Sequence, residues 1–326
     1  MRFQSSLLLV FLLFFSGNVD CYGDATSPRP NIIIILVDDM GFSDIGCYGG
    51  EIETPNLDKL AANGVRFTQF YNSGRCCPTR ASLMTGLHPH QVGIGHMTEP
   101  PNQPLGIRGP YQGFLNNDCR TLAQVLGSTG YHTIMTGKWH LGHADQNNWP
   151  LQRGFQYFYG GISGAFNYFK PGGDRGITEG NTPVATPDDW YATDAFTEKA
   201  IEYIDKATAK NDNPFFLYLA FNSPHWPLNA KWEDYSKYRG KYTAGWQELA
   251  NQRFKKQKEI GLFDEDVRQA PLQAPDWNKL SESERDRLDA VQAAYAGCID
   301  NIDQNIGRLV TYLKSKGQLD NSLIFF

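Results

Sequence analysis

Apolar runs of strand length, separated by turn residues, dominate the hydrophobic pattern of this sequence. Such runs predict strands at 31–37, 65–70, 131–136 and 214–221, and the run at 323–326 predicts the beginning of a further strand. The first and fourth runs lack polar alternation, which is typical of strands that are buried on both faces. We therefore expect a sheet that is covered on both sides.

Helix signals lie between these runs. A Thr-Pro start predicts a helix from Pro55 to a stop at Gly64. Prolines, capping residues and glycines predict three more, at 78–85, 121–128 and 193–206. A capping box at Ser281 predicts a helix that continues to about Lys316, in one or two pieces.

The remaining stretches complete the predicted organisation. Segments 98–117 and 171–190 predict long loops, and 229–280 predicts an excursion that contains no strand. The alternation of strands and helices predicts the α/β class, with a mostly parallel (mixed) central sheet sandwiched by helices. Sheets of this kind place their functional sites at the carboxyl ends of the strands.

Composition and the N-terminal segment indicate an exported globular protein. The 326 residues are 41% hydrophobic and carry a net charge of −5, which excludes a disordered chain and gives no footprint for nucleic acid. The unbroken apolar run at 7–15 is shorter than the roughly 20 residues of a membrane span and has the length of a signal-peptide core. We expect cleavage after Ala25, a periplasmic or extracellular location, and no membrane span in the mature chain. An uncleaved N-terminal anchor is the alternative.

The cysteines are too few to form a disulfide scaffold. The sequence contains 6 cysteines, and cleavage after Ala25 removes Cys21 and leaves an odd number. Export permits disulfides, but this sparse and odd set does not indicate a framework of them. At least one cysteine is therefore unpaired or chemically different.

Two adjacent carboxylates follow the first predicted strand. Asp38 and Asp39 at a strand end repel each other, and that repulsion is costly unless a cation pairs them. Carboxylate oxygens select hard cations such as calcium or magnesium. An Asx turn with one solvent-facing aspartate explains the same pair without a metal, so both interpretations stay open on these residues alone.

The segment from Cys76 to Arg80 is the sharpest chemical signal. Pro78 fits the first turn of a helix, so Cys76 lies just ahead of the helix N-terminus, where free N–H groups favour anions. Arg80 is one turn further on and offers a planar fork to sulfate or phosphate oxygens. A structural cysteine pair beside a surface arginine and a cysteine-dependent phosphatase are the alternatives. The phosphatase normally needs a longer loop between its cysteine and its arginine.

Three further polar side chains follow predicted strands. Lys138 and His140 come directly after 131–136 and share one face of an extended segment, and His225 comes directly after 214–221. Taken singly, each histidine has a structural, hydrogen-bonded interpretation. Taken together, these residues favour a catalytic site, because several strand and helix ends supply groups that can pair with a cation, bind an anion or transfer a proton.

These blocks resemble one enzyme family. The run from Cys76 to Gly86 matches the sulfatase signature, Cys-x-Pro-x-Arg followed by Thr-Gly, and 30–41 resembles the first strand and metal pair of that family. Blocks 137–140 and 223–225 resemble later sulfatase blocks, and 242–246 is similar to bacterial arylsulfatases. The resemblance covers most of 30–326 and implies the fold of the alkaline phosphatase superfamily. Arg75 departs from it, because a smaller or apolar residue is usual before the cysteine.

The resemblance implies a modified residue and a metal. Cys76 would be oxidised to formylglycine by a formylglycine-generating enzyme, and the aldehyde would hydrate to a geminal diol. Asp38 and Asp39 would bind one calcium ion together with residue 76. A diol has a second hydroxyl, so it can expel sulfate and re-form the aldehyde, whereas an unmodified Ser or Cys would keep its sulfate and wait for water.

The resemblance also implies roles for the remaining candidates. Arg80 would hold the charge of the hydrate, and Lys138 would contact the hydrate and the sulfate. His140 would assist loss of sulfate from the covalent intermediate, and His225 would help to protonate the departing alcohol. The implied activity is that of an arylsulfatase-type sulfuric ester hydrolase acting on a sulfated small molecule or a sulfated polysaccharide.

The end of the sequence departs from the family pattern. In sulfatases the last predicted strand runs into an Asp-Asn-Gly block with two more metal ligands, and a small C-terminal domain follows. This sequence stops at Phe326, so we expect 26–326 to be an incomplete N-terminal catalytic domain. Two other hypotheses stay open: a non-catalytic sulfate-ester-binding remnant, and a phosphomonoester or phosphonate hydrolase of the same superfamily. Cys76 argues against the hydrolase, which would use a Ser or Thr nucleophile.

Overall fold

The computed structural model describes residues 29–98 and 109–326. The predicted signal peptide, 1–25, lies outside these ranges. Within them, no helix combines the length and the apolar character that a membrane crossing needs.

A mixed sheet forms the centre of the described chain. Its strands are β1 (Asn31–Leu36), β2 (His132–Gly137), β3 (Tyr157–Gly160), β4 (Ile177–Glu179), β5 (Thr182–Val184), β6 (Phe215–Ala220) and β7 (Ser322–Phe325). They lie in the order β5-β4-β3-β2-β6-β1-β7. The five strands from β3 to β7 in this order are parallel, and β4 and β5 add an antiparallel edge. This arrangement confirms the predicted mostly parallel, mixed sheet.

Helices cover both faces of the sheet. They are α1 (Pro55–Ala62), α2 (Cys76–Thr85), α3 (Leu122–Ser128), α4 (Ala192–Thr208), α5 (Trp232–Ser236), α6 (Trp246–Glu259) and α7 (Glu282–Ser315). Neighbouring residues of β1 point to opposite sides: Ile33 packs in the core with α4 and α7, and Ile34 in the core with α2 and α3. Strands β2 and β6 are buried along their whole length. This double burial explains why their sequences lack polar alternation.

Local sequence features determine where helices α2 and α7 begin and where α2 ends. Helix α2 begins at Cys76, two residues earlier than predicted, because the amide of Thr79 donates to the carbonyl of Arg75 at 3.0 Å and closes the first turn. It ends at Gly86, whose φ of 68° is in the left-handed region that glycine adopts freely. Helix α7 is one continuous piece that starts at the capping box of Ser281 and Glu284.

One predicted strand is wrong. Segment 65–70 contains no strand, and Val65, Phe67 and Phe70 are 80%, 56% and 78% exposed. No described strand lies beside this segment, so its backbone has no ladder to join. High β-propensity alone does not form a strand, because propensity reflects packing against a neighbour.

The edge of the sheet also differs from prediction. Strand β3 was not predicted, and the supposed loop 171–190 contains the short hairpin of β4 and β5. Each of these strands has only three or four residues, too few to show a clear period in the sequence. Segment 229–280 contains α5 and α6 and no strand, as predicted.

Candidate active site

The ends of three neighbouring strands bring the site together. In the sheet order β2-β6-β1, Lys138 directly follows β2, and Asp38 lies just beyond the end of β1. The amide of Lys138 donates to the carbonyl of Ala220 at 2.8 Å, and the amide of Asp38 donates to the carbonyl of Ser223 at 3.2 Å. Backbone bonds therefore continue past the strand ends and fix where both side chains start.

A buried charge cluster lies at this edge. Asp38, Lys138 and Arg80 are 4%, 0% and 1% exposed. One carboxylate oxygen of Asp38 is 2.5 Å from Nζ of Lys138, and the other is 3.5 Å from Nη2 of Arg80. Burial raises the pKa of Asp38, but the two cations outweigh it and lower that pKa to about 2. Asp38 is thus a carboxylate at any physiological pH, and the cluster keeps one net positive charge.

Arg80 is held rigidly but is not saturated. Its Nη1 donates to the carbonyl of Lys138 at 2.7 Å and to the hydroxyl of Tyr218 at 3.3 Å. Its Nε and Nη2 are buried and find no hydrogen-bond acceptor among the described residues. Among them, Nη2 makes only the 3.5 Å ion-pair contact with Asp38. A buried guanidinium whose Nε and Nη2 lack hydrogen-bond acceptors is suited to an anion that brings its own oxygens.

Tyr218 is a site residue that the sequence analysis missed. It lies in β6, and its hydroxyl supports Arg80 from the sheet. It reads in the sequence as one more apolar position in the run 214–221. One sequence signal could have identified it: a tyrosine on a strand predicted to be buried. A buried Tyr hydroxyl usually has a hydrogen-bond partner, which indicates a polar neighbour.

Two thiols and an imidazole form a second group. One ligand atom each from Cys76, Cys77 and His140 lie within 4.8 Å of one another. Hydrogen bonding from the Cys77 thiol is the main cause that lowers the pKa of Cys76; burial opposes it, and hydrogen bonding from His140 and the charge of Lys138 add to it. Burial raises the pKa of Cys77. Burial also lowers the pKa of His140, so this imidazole is neutral near pH 7.

The outer part of the site contains Asp39 and His225. Nε2 of His225 is 3.5 Å from a carboxylate oxygen of Asp39, and its Nδ1 donates to the carbonyl of Trp226 at 2.5 Å. Burial and the neighbouring charge of Asp38 raise the pKa of Asp39. This carboxylate therefore still experiences the repulsion that the sequence indicated.

Arg75 adds a cation at the rim of the site. It precedes Cys76, is exposed, and its Nη1 lies 3.3 Å from Nε2 of His96. No ion pair of Arg75 occurs within residues 29–98 and 109–326. The departure from the family pattern is therefore a solvent-facing guanidinium beside the central cysteine.

The structure thus places every predicted site residue at one edge of the sheet. These residues are Asp38, Asp39, Cys76, Arg80, Lys138, His140 and His225. Their individual roles stay predictions. The sequence model of the sulfatase family matches residues 30–326.

The chain belongs to the sulfatase family. It is 35% identical to an uncharacterized sulfatase of Schizosaccharomyces pombe, over 93% of this chain and 57% of that protein. It is also 35% identical to the arylsulfatase of Klebsiella aerogenes, over 93% of this chain and 66% of that protein. The chain therefore spans about three fifths of the length of these relatives.

Solved structures agree with this family. Ps i-CgsB superposes with a TM-score of 0.67 and 30% identity, over 91% of this chain and 57% of that one. A second structure shows Ps i-CgsB in complex with k-i-k-neocarrahexaose. The mixed sheet between helices is thus the fold of sulfatases and of alkaline phosphatase-like enzymes.

Proposed function

We propose that this chain carries the catalytic centre of an exported sulfatase that hydrolyses sulfate esters. The observation that carries the proposal is the buried cluster of Asp38, Lys138 and Arg80 beside Cys76, in a chain matched by the sulfatase family model from residue 30 to 326. Sulfuric ester hydrolysis needs an anion-binding pocket, an oriented nucleophile and a proton donor for the leaving alcohol. The described residues offer a candidate for each.

Arg80 and Lys138 are the candidates for binding the sulfate. Nε and Nη2 of Arg80 are buried and have no hydrogen-bond acceptor among the described residues, and water competes poorly for groups in such a position. The first turn of α2 adds backbone N–H groups and the positive end of a helix dipole. Fixed donors of this kind stabilise the charge on the transferring group without reorganising during the reaction.

Asp38 and Asp39 are the candidates for holding calcium. Their donor chemistry fits: oxygen donors suit a hard cation, Asp38 is ionised, and a cation would relieve the repulsion that raises the pKa of Asp39. Two carboxylates provide fewer than the six to eight oxygens that calcium prefers. When bound, the ion would offset the negative charge of sulfate and favour a deprotonated oxygen at residue 76.

Cys76 is the candidate for conversion to formylglycine by a maturing enzyme. It is half-buried at the first position of α2, so its side chain borders both solvent and the charge cluster. A hydrated aldehyde at this position supplies an oxygen nucleophile. His140 is neutral and adjacent to residue 76, so it can accept a proton there.

His225 is the candidate proton donor to the leaving alcohol. It is half-buried on the open side of the site, beside Asp39, where the alcohol portion of an ester would leave. Ps i-CgsB in its oligosaccharide complex supports a sulfated carbohydrate as one substrate class, beside sulfated small molecules.

The test uses protein produced together with a formylglycine-generating enzyme. We expect peptide mass spectrometry to find an aldehyde at position 76, and 4-nitrophenyl sulfate to be hydrolysed in the presence of calcium. Cys76→Ala should abolish turnover, whereas Cys47→Ala, at a similarly half-buried cysteine away from the site, should not. Equal rates for Cys76→Ala and its parent, or faster cleavage of 4-nitrophenyl phosphate, would contradict the proposal.

A further inference from the structure

The unmodified chain contains a set of soft ligands that the sulfatase reaction does not use as such. Cys76 and Cys77 lie in the first turn of α2, and His140 lies just beyond β2, yet their ligand atoms meet within 4.8 Å. Cys77 is fully buried, and none of the roles proposed above for sulfate or calcium binding uses it. A vicinal cysteine pair facing a histidine therefore needs a separate explanation.

We propose that, before Cys76 is modified, these three side chains form a zinc-binding site. Two thiolates and an imidazole are typical zinc ligands, and water completes the tetrahedron in an open site. With Zn–S near 2.3 Å and Zn–N near 2.0 Å, ligand atoms in such a site lie about 3.5–3.8 Å apart. The ligand atoms of Cys76, Cys77 and His140 would therefore have to move closer together by about 1 Å. Rotation of these side chains about χ1 can supply that movement.

The ligands are available to a metal. His140 is almost completely buried, and its Nδ1 makes no hydrogen bond to any described residue. Cys76 is half-buried, so an ion can enter from its side. Sγ of Cys76 also lies 3.8 Å from the thioether sulfur of Met97, which lines the position with another soft atom. A buried imidazole nitrogen without a partner is costly unless a ligand occupies it.

The surrounding charges permit a dication at this position. Asp38 and Asp39 formally cancel Lys138 and Arg80. Two thiolates then cancel the charge of Zn²⁺, and the thiol protons leave to solvent as the metal binds. The group as a whole is neutral, so the buried cations do not exclude the ion.

Zinc binding has a consequence for maturation. A thiolate bonded to zinc is a weaker nucleophile than a free thiolate, so zinc slows alkylation and oxidation at Cys76. Zinc and the maturing enzyme therefore compete for the same thiol. This consequence rests on the proposed function, whereas the zinc site itself does not.

The experiment uses the unmodified chain and needs no sulfatase assay. We expect calorimetric titration with Zn²⁺ to show one equivalent bound and zinc to be retained after desalting. Cys77→Ala and His140→Asn should each weaken binding at least about tenfold, since even outer-sphere changes at zinc sites cost about that much. Asparagine suits position 140 because it tolerates the φ of 57° found there.

A control and a second readout make the outcome decisive. Cys47→Ala should bind zinc like the parent, and circular dichroism should show that each variant is folded. Zinc should also slow alkylation of Cys76 by iodoacetamide, followed by peptide mass spectrometry. The proposed zinc site would be refuted if the parent bound no zinc. It would also be refuted if Cys77→Ala and His140→Asn both retained as much zinc as the parent. An active matured enzyme with no zinc binding before maturation would refute this inference alone.

Discussion

Replacing Asp38 with asparagine tests the buried charge cluster most directly. The substitution keeps the side-chain shape but removes the only carboxylate that lies within salt-bridge distance of Lys138 among residues 29–98 and 109–326. It leaves both Lys138 and Arg80 buried as cations. Breaking a buried ion pair by removing one partner typically costs about 3–5 kcal/mol, because the remaining charge has lost both water and its counterion.

The lowered pKa of Asp38 gives a second measure of the same interaction. A change from the ordinary value of 3.8 to about 2 corresponds to between about 2 and 3 kcal/mol of stabilisation of the folded state. Because the folded-state pKa is the lower one, this contribution is fully present above about pH 4 and is lost as the pH falls towards about 2. We therefore expect Asp38→Asn to lower the free energy of unfolding by about 2–5 kcal/mol at pH 7.

The assay is urea unfolding in the presence of a calcium chelator. The matched control is Asp205→Asn, which removes a surface carboxylate 2.8 Å from Nζ of Lys316 and should cost less than about 1 kcal/mol. The double variant Asp38→Asn with Lys138→Met should recover part of the lost free energy of unfolding, because it removes a buried cation that has no counterion. If Asp38→Asn costs no more than Asp205→Asn, or costs as much at pH 2.5 as at pH 7, the account of the cluster is wrong.

Two further substitutions, one of them paired with a control, test how the sheet positions Arg80 and Lys138. Gly137→Ala should cost more than about 3 kcal/mol, because φ is 106° there and an added Cβ would lie 1.9 Å from the carbonyl oxygen of Ala220. At Gly86 φ is 68°, and no described atom beyond its chain neighbours lies within 4 Å of an added Cβ. Gly86→Ala should therefore cost only about 1–2 kcal/mol, and equal losses for the two variants in thermal unfolding would contradict the steric argument. Tyr218→Phe should cost about 1 kcal/mol by removing one acceptor from Arg80. An unchanged urea midpoint would show that this bond contributes nothing.

The sequence was sufficient for the elements that carry the site. Continuous apolar runs marked β1 and β6, and the residues beyond a strand's carboxyl end were correctly expected at one edge. Asp38 and Lys138, 100 positions apart, meet at 2.5 Å because β1 and β2 both pair with β6. Their proximity is thus a consequence of topology, which strand and helix alternation predicts.

The sequence was not sufficient where a partner decides the structure. Segment 65–70 has the composition of a strand but no neighbour among the described residues, whereas the three residues of β4 form a strand because β3 and β5 flank them. The sequence indicates an anion ligand at Arg80 but leaves a surface arginine open as the alternative. Only its burial, with two donors left over, distinguishes the second interpretation.

Backbone conformation is the part of the site that no residue pattern revealed. Among the described residues, the non-glycine positions with positive φ are Asp39 (65°) and His140 (57°), and each lies three positions beyond the end of its strand. A left-handed conformation costs an L-residue about 1–2 kcal/mol, so it persists only where neighbours impose it. At His140 the amide donates to the carbonyl of Ile162 at 3.0 Å, and at Asp39 the carbonyl accepts from Tyr295 at 3.3 Å. The fold therefore sustains strain at two positions that a glycine would relieve, and both retain a side chain that faces the candidate chemistry.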